Sequence, residues 1–195
     1  MKVLSLFASA RGKKSNTRQV LTWTEEELKA KGHQVERVHL NKLSLTGCLG
    51  CAKCRDNPDE PACVQKDDAL AVIDKLISAD AAIYACPLYF WGFPGPMKTF
   101  LDRCYCLVTN YHKPGHTSLV EGQRQALLVT AADPYEENGE EIVTSFRRIV
   151  DFNKGILAGE LFVGDCSSPD ELTEGTNEKA KVLAGQVAGE LEYRI

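Results

Sequence analysis

Val3-Leu4-Ser5-Leu6-Phe7-Ala8-Ser9-Ala10-Arg11-Gly12-Lys13-Lys14-Ser15-Asn16-Thr17 decides the fold. Residues 3–7 form a short, almost wholly apolar run, the pattern of a strand buried on both faces. A polar segment follows, and from about Asn16 to Lys31 the chain has helical character, ending at Gly32. Strand, loop and helix in that order make the first half of a crossover unit.

The same alternation recurs along the chain. Val35–Leu40 reads as a second strand, and a helix begins at Asp67 with Leu70, Ile73, Leu76 and Ile77 at three- and four-residue spacing. Ala81–Cys86 is a third strand, stopped by Pro87. Pro96 suits the first turn of the next helix, which runs to about Cys104. Ala126–Thr130 is the fourth strand, followed by a helix with Ile142, Phe146, Ile149 and Val150 on one stripe. Residues from about Leu157 to Val163 supply the fifth strand, and a last helix carries Ala180, Leu183, Val187 and Leu191. Five apolar strands alternating with helices imply right-handed crossovers and a doubly wound parallel α/β sheet with helices on both faces. The expectation is one domain over residues 1–195, with an insertion at about 44–66. The segment Thr109–Gln123, with His112, Pro114, Gly115 and His116, reads as a loop or subunit contact.

The chain has 195 residues, 44% apolar, enough for one substantial core. A net charge of −4, with 23 basic residues spread along the chain, gives no basic stripe for nucleic acid. There is no run of about 18 apolar residues, and Met1-Lys2 leads straight into a strand. No membrane span or signal peptide is therefore expected, and the expected location is cytoplasmic. In that compartment the eight cysteines are not a disulfide framework. Cys86, Cys104, Cys106 and Cys166 lie in apolar stretches as core thiols, whereas Cys48, Cys51, Cys54 and Cys63 fall within sixteen positions.

Ligands of open parallel sheets bind outside the carboxyl ends of the strands. The loop there after the first strand offers Ser9, Arg11, Ser15, Asn16 and Thr17 at the start of a helix. Hydroxyl donors, unpaired first-turn amides and the positive end of the helix dipole make this an anion site. Neither a Walker A loop nor the dinucleotide glycine fingerprint is present, which disfavours a nucleoside triphosphate. An ordinary polar helix cap is the alternative. After the third strand, Tyr89, Phe90 and Trp91 can present aromatic faces, and Gly92 can let a backbone amide approach closely.

Five separated motifs carry a family resemblance. They are Ser9-Ala10-Arg11 with Ser15-Asn16-Thr17; Gly47-Cys48-Leu49-Gly50-Cys51; Cys63-Val64-Gln65-Lys66-Asp67-Asp68; Cys86-Pro87-Leu88-Tyr89-Phe90-Trp91-Gly92; and Lys98-Thr99-Phe100-Leu101-Asp102-Arg103. Over about residues 1–105 the chain resembles the NADPH-dependent FMN reductase family of flavodoxin-like proteins, in particular its iron–sulfur flavoprotein branch. That resemblance implies the strand order 2-1-3-4-5 and FMN as cofactor. It implies that Ser9, Arg11, Ser15, Asn16 and Thr17 surround the FMN phosphate. Pro87, Leu88, Tyr89, Phe90, Trp91 and Gly92 would lie along the isoalloxazine ring, and the loop Thr130-Ala131-Ala132-Asp133-Pro134-Tyr135, with Ala131 and Ala132 as contacts, would complete the pocket.

Cys48-x2-Cys51-x2-Cys54, then eight residues and Cys63, resembles the motif by which iron–sulfur flavoproteins hold a [4Fe–4S] cluster. Tetrahedral zinc and free thiols are the alternatives for this set. The implied activity is an FMN-dependent oxidoreductase with NAD(P)H or ferredoxin as donor and a small-molecule or protein acceptor, assembled as a homodimer or homotetramer. The flavin carries the chemistry, so no acid or base side chain is nominated, and His33, His39, His112 and His116 have no triad context. A cluster-free NAD(P)H-dependent reductase of quinones, flavins or nitro compounds is the second reading. A non-catalytic metal- or phosphate-binding protein on the same fold is the third.

Overall fold

A computed structural model describes residues 1–57 and 59–193. The first strand, β1 (Lys2–Phe7), enters helix α1 (Asn16–Ala30) through Ser15, whose hydroxyl accepts from the Arg18 amide at 3.1 Å as an N-cap. Gly32, at φ +83°, turns the chain into β2 (Gln34–His39). After the cysteine-bearing segment come α2 (Ala69–Ile77), β3 (Ala81–Pro87) and α3 (Gly95–Arg103), with Pro96 in the first turn of α3. Two short strands, β4 (Val108–Thr109) and β5 (Thr117–Ser118), precede β6 (Arg124–Thr130), α4 (Glu140–Phe152), β7 (Ile156–Val163) and α5 (Glu174–Ala188).

The five long strands form one parallel sheet in the order β2-β1-β3-β6-β7. Counting only those strands, this is the flavodoxin-like order 2-1-3-4-5. Alternate residues of each strand feed two separate cores. Leu4, Leu6, Ala82, Tyr84, Leu127 and Val129 face α2, α3 and α4, and pack with Ile73, Leu76, Phe100 and Phe146. Val3, Phe7, Ile83, Ala85, Leu128 and Leu161 face α1 and α5, and pack with Val20, Leu21, Leu28 and Leu183. The helices thus cover both faces. Among the described residues no helix is long and apolar enough to cross a membrane.

Three local readings differ from the sequence expectation. Residues 109–123 hold the β4–β5 hairpin, closed by the paired hydroxyls of Thr109 and Thr117 at 2.5 Å and by Asn110 at φ +55°. Two-residue strands are too short to show a period. Helix α2 starts at Ala69 because Asp67 is used outside it, accepting from the Thr46 and Ala69 amides at 2.9 and 3.1 Å. Leu191 is not on α5: the helix ends at Gly189, φ +79°, and Leu191 folds back so that a Cβ on Gly185 would meet it at 2.9 Å.

Gly164 shows how tightly the ligand edge is packed. A Cβ there would stand 2.6 Å from the Asp133 carbonyl oxygen and 3.0 Å from the Pro134 Cα, backbone atoms that cannot rotate away. Gly164→Ala should therefore cost about 1–3 kcal/mol, measured by denaturant unfolding.

Candidate functional site

At the carboxyl edge the loops are sewn together by backbone bonds that continue the sheet. The Ala8 amide donates to Ala85 O (3.0 Å), Leu88 to Thr130 O (2.9 Å), Ala131 to Val163 O (2.9 Å) and Cys166 to Ala131 O (3.2 Å). These bonds bring the loops after β1, β3, β6 and β7 around a cavity of about 170 Å³. Ser9, Arg11, Ser15, Asn16 and Thr17 all line it, with Pro87, Leu88, Tyr89, Ala131 and Ala132. Thr130 lines it too, from the loop expected to complete the pocket, as do Cys166 and Ser167, which were not anticipated. The rule that placed the other loops applies equally to the loop after the last strand.

The polar side chains here bond chiefly to each other. Ser15 Oγ donates to Ser9 Oγ at 2.8 Å, and the Thr17 and Thr130 hydroxyls pair at 2.7 Å. Arg11 Nη1 reaches across the mouth to the Ser167 carbonyl at 3.0 Å. Asn16 Nδ2 donates to the Cys166 carbonyl at 2.8 Å, while its Oδ1 is buried without a partner among the described residues. Such an orphaned acceptor costs about 1–3 kcal/mol unless something donates to it. The start of α1 adds amides that no intrahelical carbonyl can take and the positive end of its dipole.

Phe90, Trp91 and Gly92 stand outside this cavity. Tyr89 and Gly92 exchange both backbone bonds at 3.1 Å, closing a two-residue turn whose centre is Phe90 at φ +49° and Trp91 at φ +59°. The Gly92 amide is therefore engaged by Tyr89 O. A Cβ on Gly92 would meet no protein atom closer than 3.8 Å. Phe90 is 95% exposed and Trp91 51%.

A second cavity, of about 460 Å³, lies between the cysteine segment and the end of α3. Cys48, Cys51, Cys54 and Cys63 all line it, the first two exposed and the others half-buried. Among the described residues, however, no group of three or more Cys, His, Asp or Glu side chains stands ready to hold a metal ion. Cys86, Cys104, Cys106 and Cys166 are buried as expected, yet Cys106 also lines this cavity. Burial, reinforced by Cys63 and Cys54, pushes the Cys106 thiol up to about 12, so it is a neutral wall.

Two arginines brace the segment. Arg55, next to Cys54, donates Nε to Tyr105 Oη at 2.7 Å and stacks on the rings of Tyr105 and Tyr111, 5.4 and 4.6 Å from their centres. The side chain of Arg103 is 0% exposed. It donates Nη1 to Asp67 Oδ2 (2.6 Å) and the Thr46 carbonyl (3.0 Å), and Nη2 to Cys63 Sγ (3.3 Å). Burial alone would raise the Asp67 carboxyl, but the Arg103 bond and the Thr46 and Ala69 amides outweigh it and hold it low.

The sheet order and the hydroxyl-rich loop at a helix start define a flavodoxin-like protein. The sequence model of the NADPH-dependent FMN reductase family matches residues 1–172, and the chain belongs to that family, an FMN-dependent group of oxidoreductases. It is 29% identical over 197 residues to an iron–sulfur flavoprotein of Archaeoglobus fulgidus, covering all of this chain and 83% of that protein. An FMN-dependent NADH:quinone oxidoreductase of Alkalilimnicola ehrlichii is 28% identical over 142 residues, 67% of this chain and 68% of that one. Among solved structures, an FMN-dependent NADH-azoreductase of Bacillus anthracis in complex with FMN shares the fold, with a TM-score of 0.70 at 14% identity. That match covers 96% of this chain and 100% of that one.

Asp67 gives a pH dependence with a definite sign. Its folded carboxyl titrates below the ordinary 3.8, so its contribution is present above that value and is lost as pH falls below it. Asp67→Asn, which leaves the Arg103 charge buried without its partner, should cost about 3 kcal/mol or more at neutral pH. It should also flatten the acid limb of the stability curve, measured by urea unfolding from pH 7 down to pH 3.

Proposed function

We propose that the chain is an FMN oxidoreductase that grips the flavin phosphate with residues 9–17 and binds a [4Fe–4S] cluster through Cys48, Cys51, Cys54 and Cys63. The observation that carries the flavin half is the cavity at the strand ends, where Ser9, Ser15, Thr17 and the α1 amides converge. Their hydroxyls, now satisfied by one another, can turn to a phosphate, while Asn16 Oδ1 can accept from a ribityl hydroxyl. Arg11 is exposed at the rim and adds a charge. Pro87, Leu88, Tyr89, Ala131 and Ala132 give the ring an apolar floor. FMN supplies electron transfer in pairs or singly; the residues around it bind, orient and exclude water.

The cluster half rests on the donor set. Four thiols line one cavity, with a buried guanidinium donor on one of them, and the long A. fulgidus relative is named an iron–sulfur flavoprotein. Bound there, the cluster would supply one-electron exchange with a protein donor of the ferredoxin class. The thiols must draw together to hold it. Their open arrangement favours a second reading, a cluster-free enzyme taking hydride from NAD(P)H and reducing quinones or free flavins.

Ser15→Ala should weaken FMN binding about tenfold or more, since a charge-assisted hydrogen bond contributes about 1.5–3 kcal/mol. Quenching of flavin fluorescence reads this directly, and unchanged affinity would remove the phosphate placement. Purified without oxygen, the protein should carry iron and sulfide at about four of each per chain. Cys54→Ser should abolish that content and Cys86→Ser should preserve it. Wild-type protein with flavin but neither iron nor sulfide would select the second reading.

A further inference from the structure

The end of α3 buries a charge where the flavin cavity has no use for it. Arg103 stands in the wall of the cysteine cavity with its side chain fully enclosed, and its five N–H donors are unevenly spent. Nη1 is committed to Asp67 and Thr46, Nη2 to the Cys63 sulfur, and Nε is buried with no partner among the described residues. A guanidinium held only to brace the loop needs none of its donors on a thiol. One that donates to a sulfur, and is balanced by a carboxylate on its other Nη, acts on whatever charge that sulfur carries.

We propose that Arg103 is a positioning residue that sets the reduction potential of the group bound by Cys48, Cys51, Cys54 and Cys63, with Asp67 as its counterweight. The inference rests on the cluster reading above. Reducing a thiolate-held cluster by one electron from a ferredoxin-class donor adds one negative charge and moves no proton. A buried cation in hydrogen-bond contact with a ligand sulfur favours the more negative, reduced form. Asp67, bonded to the neighbouring Nη1, opposes that effect. The two residues therefore push the potential in opposite directions, which loosening of the loop cannot imitate.

The test is an anaerobic redox titration of the iron–sulfur absorbance and of the reduced protein's paramagnetic signal. Wild type, Arg103→Met, Arg103→Lys and Asp67→Asn would each be reconstituted with ferrous iron and sulfide. Arg103→Met should shift the reduction equilibrium about tenfold toward the oxidised form, which is ~59 mV lower for one electron. Arg103→Lys should recover most of that shift, and Asp67→Asn should move the equilibrium toward the reduced form. Should Arg103→Met not fold, the opposite displacement in Asp67→Asn and the near-native value in Arg103→Lys decide the matter. Equal potentials across the loaded variants, or displacement of Arg103→Met and Asp67→Asn in the same direction, would overturn the assignment while leaving the cluster in place. Failure of the wild type to take up iron and sulfide would instead overturn the cluster reading and this inference with it.

Discussion

The arrangement depends on where a parallel sheet stops. Strands running the same way end together, and their last amides and carbonyls must find partners beyond the ladder. Here they find one another: Ala8 with Ala85, Leu88 with Thr130, Ala131 with Val163. Each bond draws one loop against the next strand's end, so the cavity wall is the continuation of the sheet by other residues. The hydroxyls of Ser9, Ser15, Thr17 and Thr130 are carried in on that frame, as is the start of α1. Without the frame they would be ordinary polar groups in water.

The cysteine segment is held by a different means. Among its described residues it has no strand to extend, and between β2 and α2 these form only short turns, with Gly50 and Ala52 in left-handed backbone. What fixes it are side chains from elsewhere. Asp67 and Arg103 form an ion pair removed from water, and Arg55 is clasped between Tyr105 and Tyr111. A desolvated pair of this kind contributes little net stability, but it tolerates few alternative geometries, because separating the charges leaves each uncompensated. The loop is thereby located without being closed, consistent with four thiols on one wall that do not yet converge.

Much of this was legible in the sequence. The runs at 3–7, 81–86 and 126–130 are apolar because both sheet faces are covered, and that signal survives without knowledge of the fold. The loop after β1 could be read because its chemistry is local: hydroxyls and an amide side chain sit next to a helix start. Cys166 and Ser167 could not be read so easily, since they reach the cavity across about 150 positions through the Asn16 bond to the Cys166 carbonyl. Arg103 and Cys106 join the cysteine cavity from the end of α3, forty positions and more from Cys63, and the α3 pattern alone shows only a basic residue in a last turn. The β4–β5 hairpin is too short for any period to announce it. The exposed turn at Phe90 and Trp91 defies its sequence outright, because bulky residues rarely take left-handed backbone.

That turn has a cost that outlasts folding. Left-handed backbone at a non-glycine residue costs roughly 1–3 kcal/mol, and two such residues stand side by side with their rings in water. An Asn-Gly pair would make the same bend with less strain and no greasy surface. The protein instead keeps a stiff, sticky fingertip one residue beyond Tyr89, at the lip of the cavity. Exposed rings on a strained turn beside that opening form a surface that suits flat, apolar partners better than charged ones.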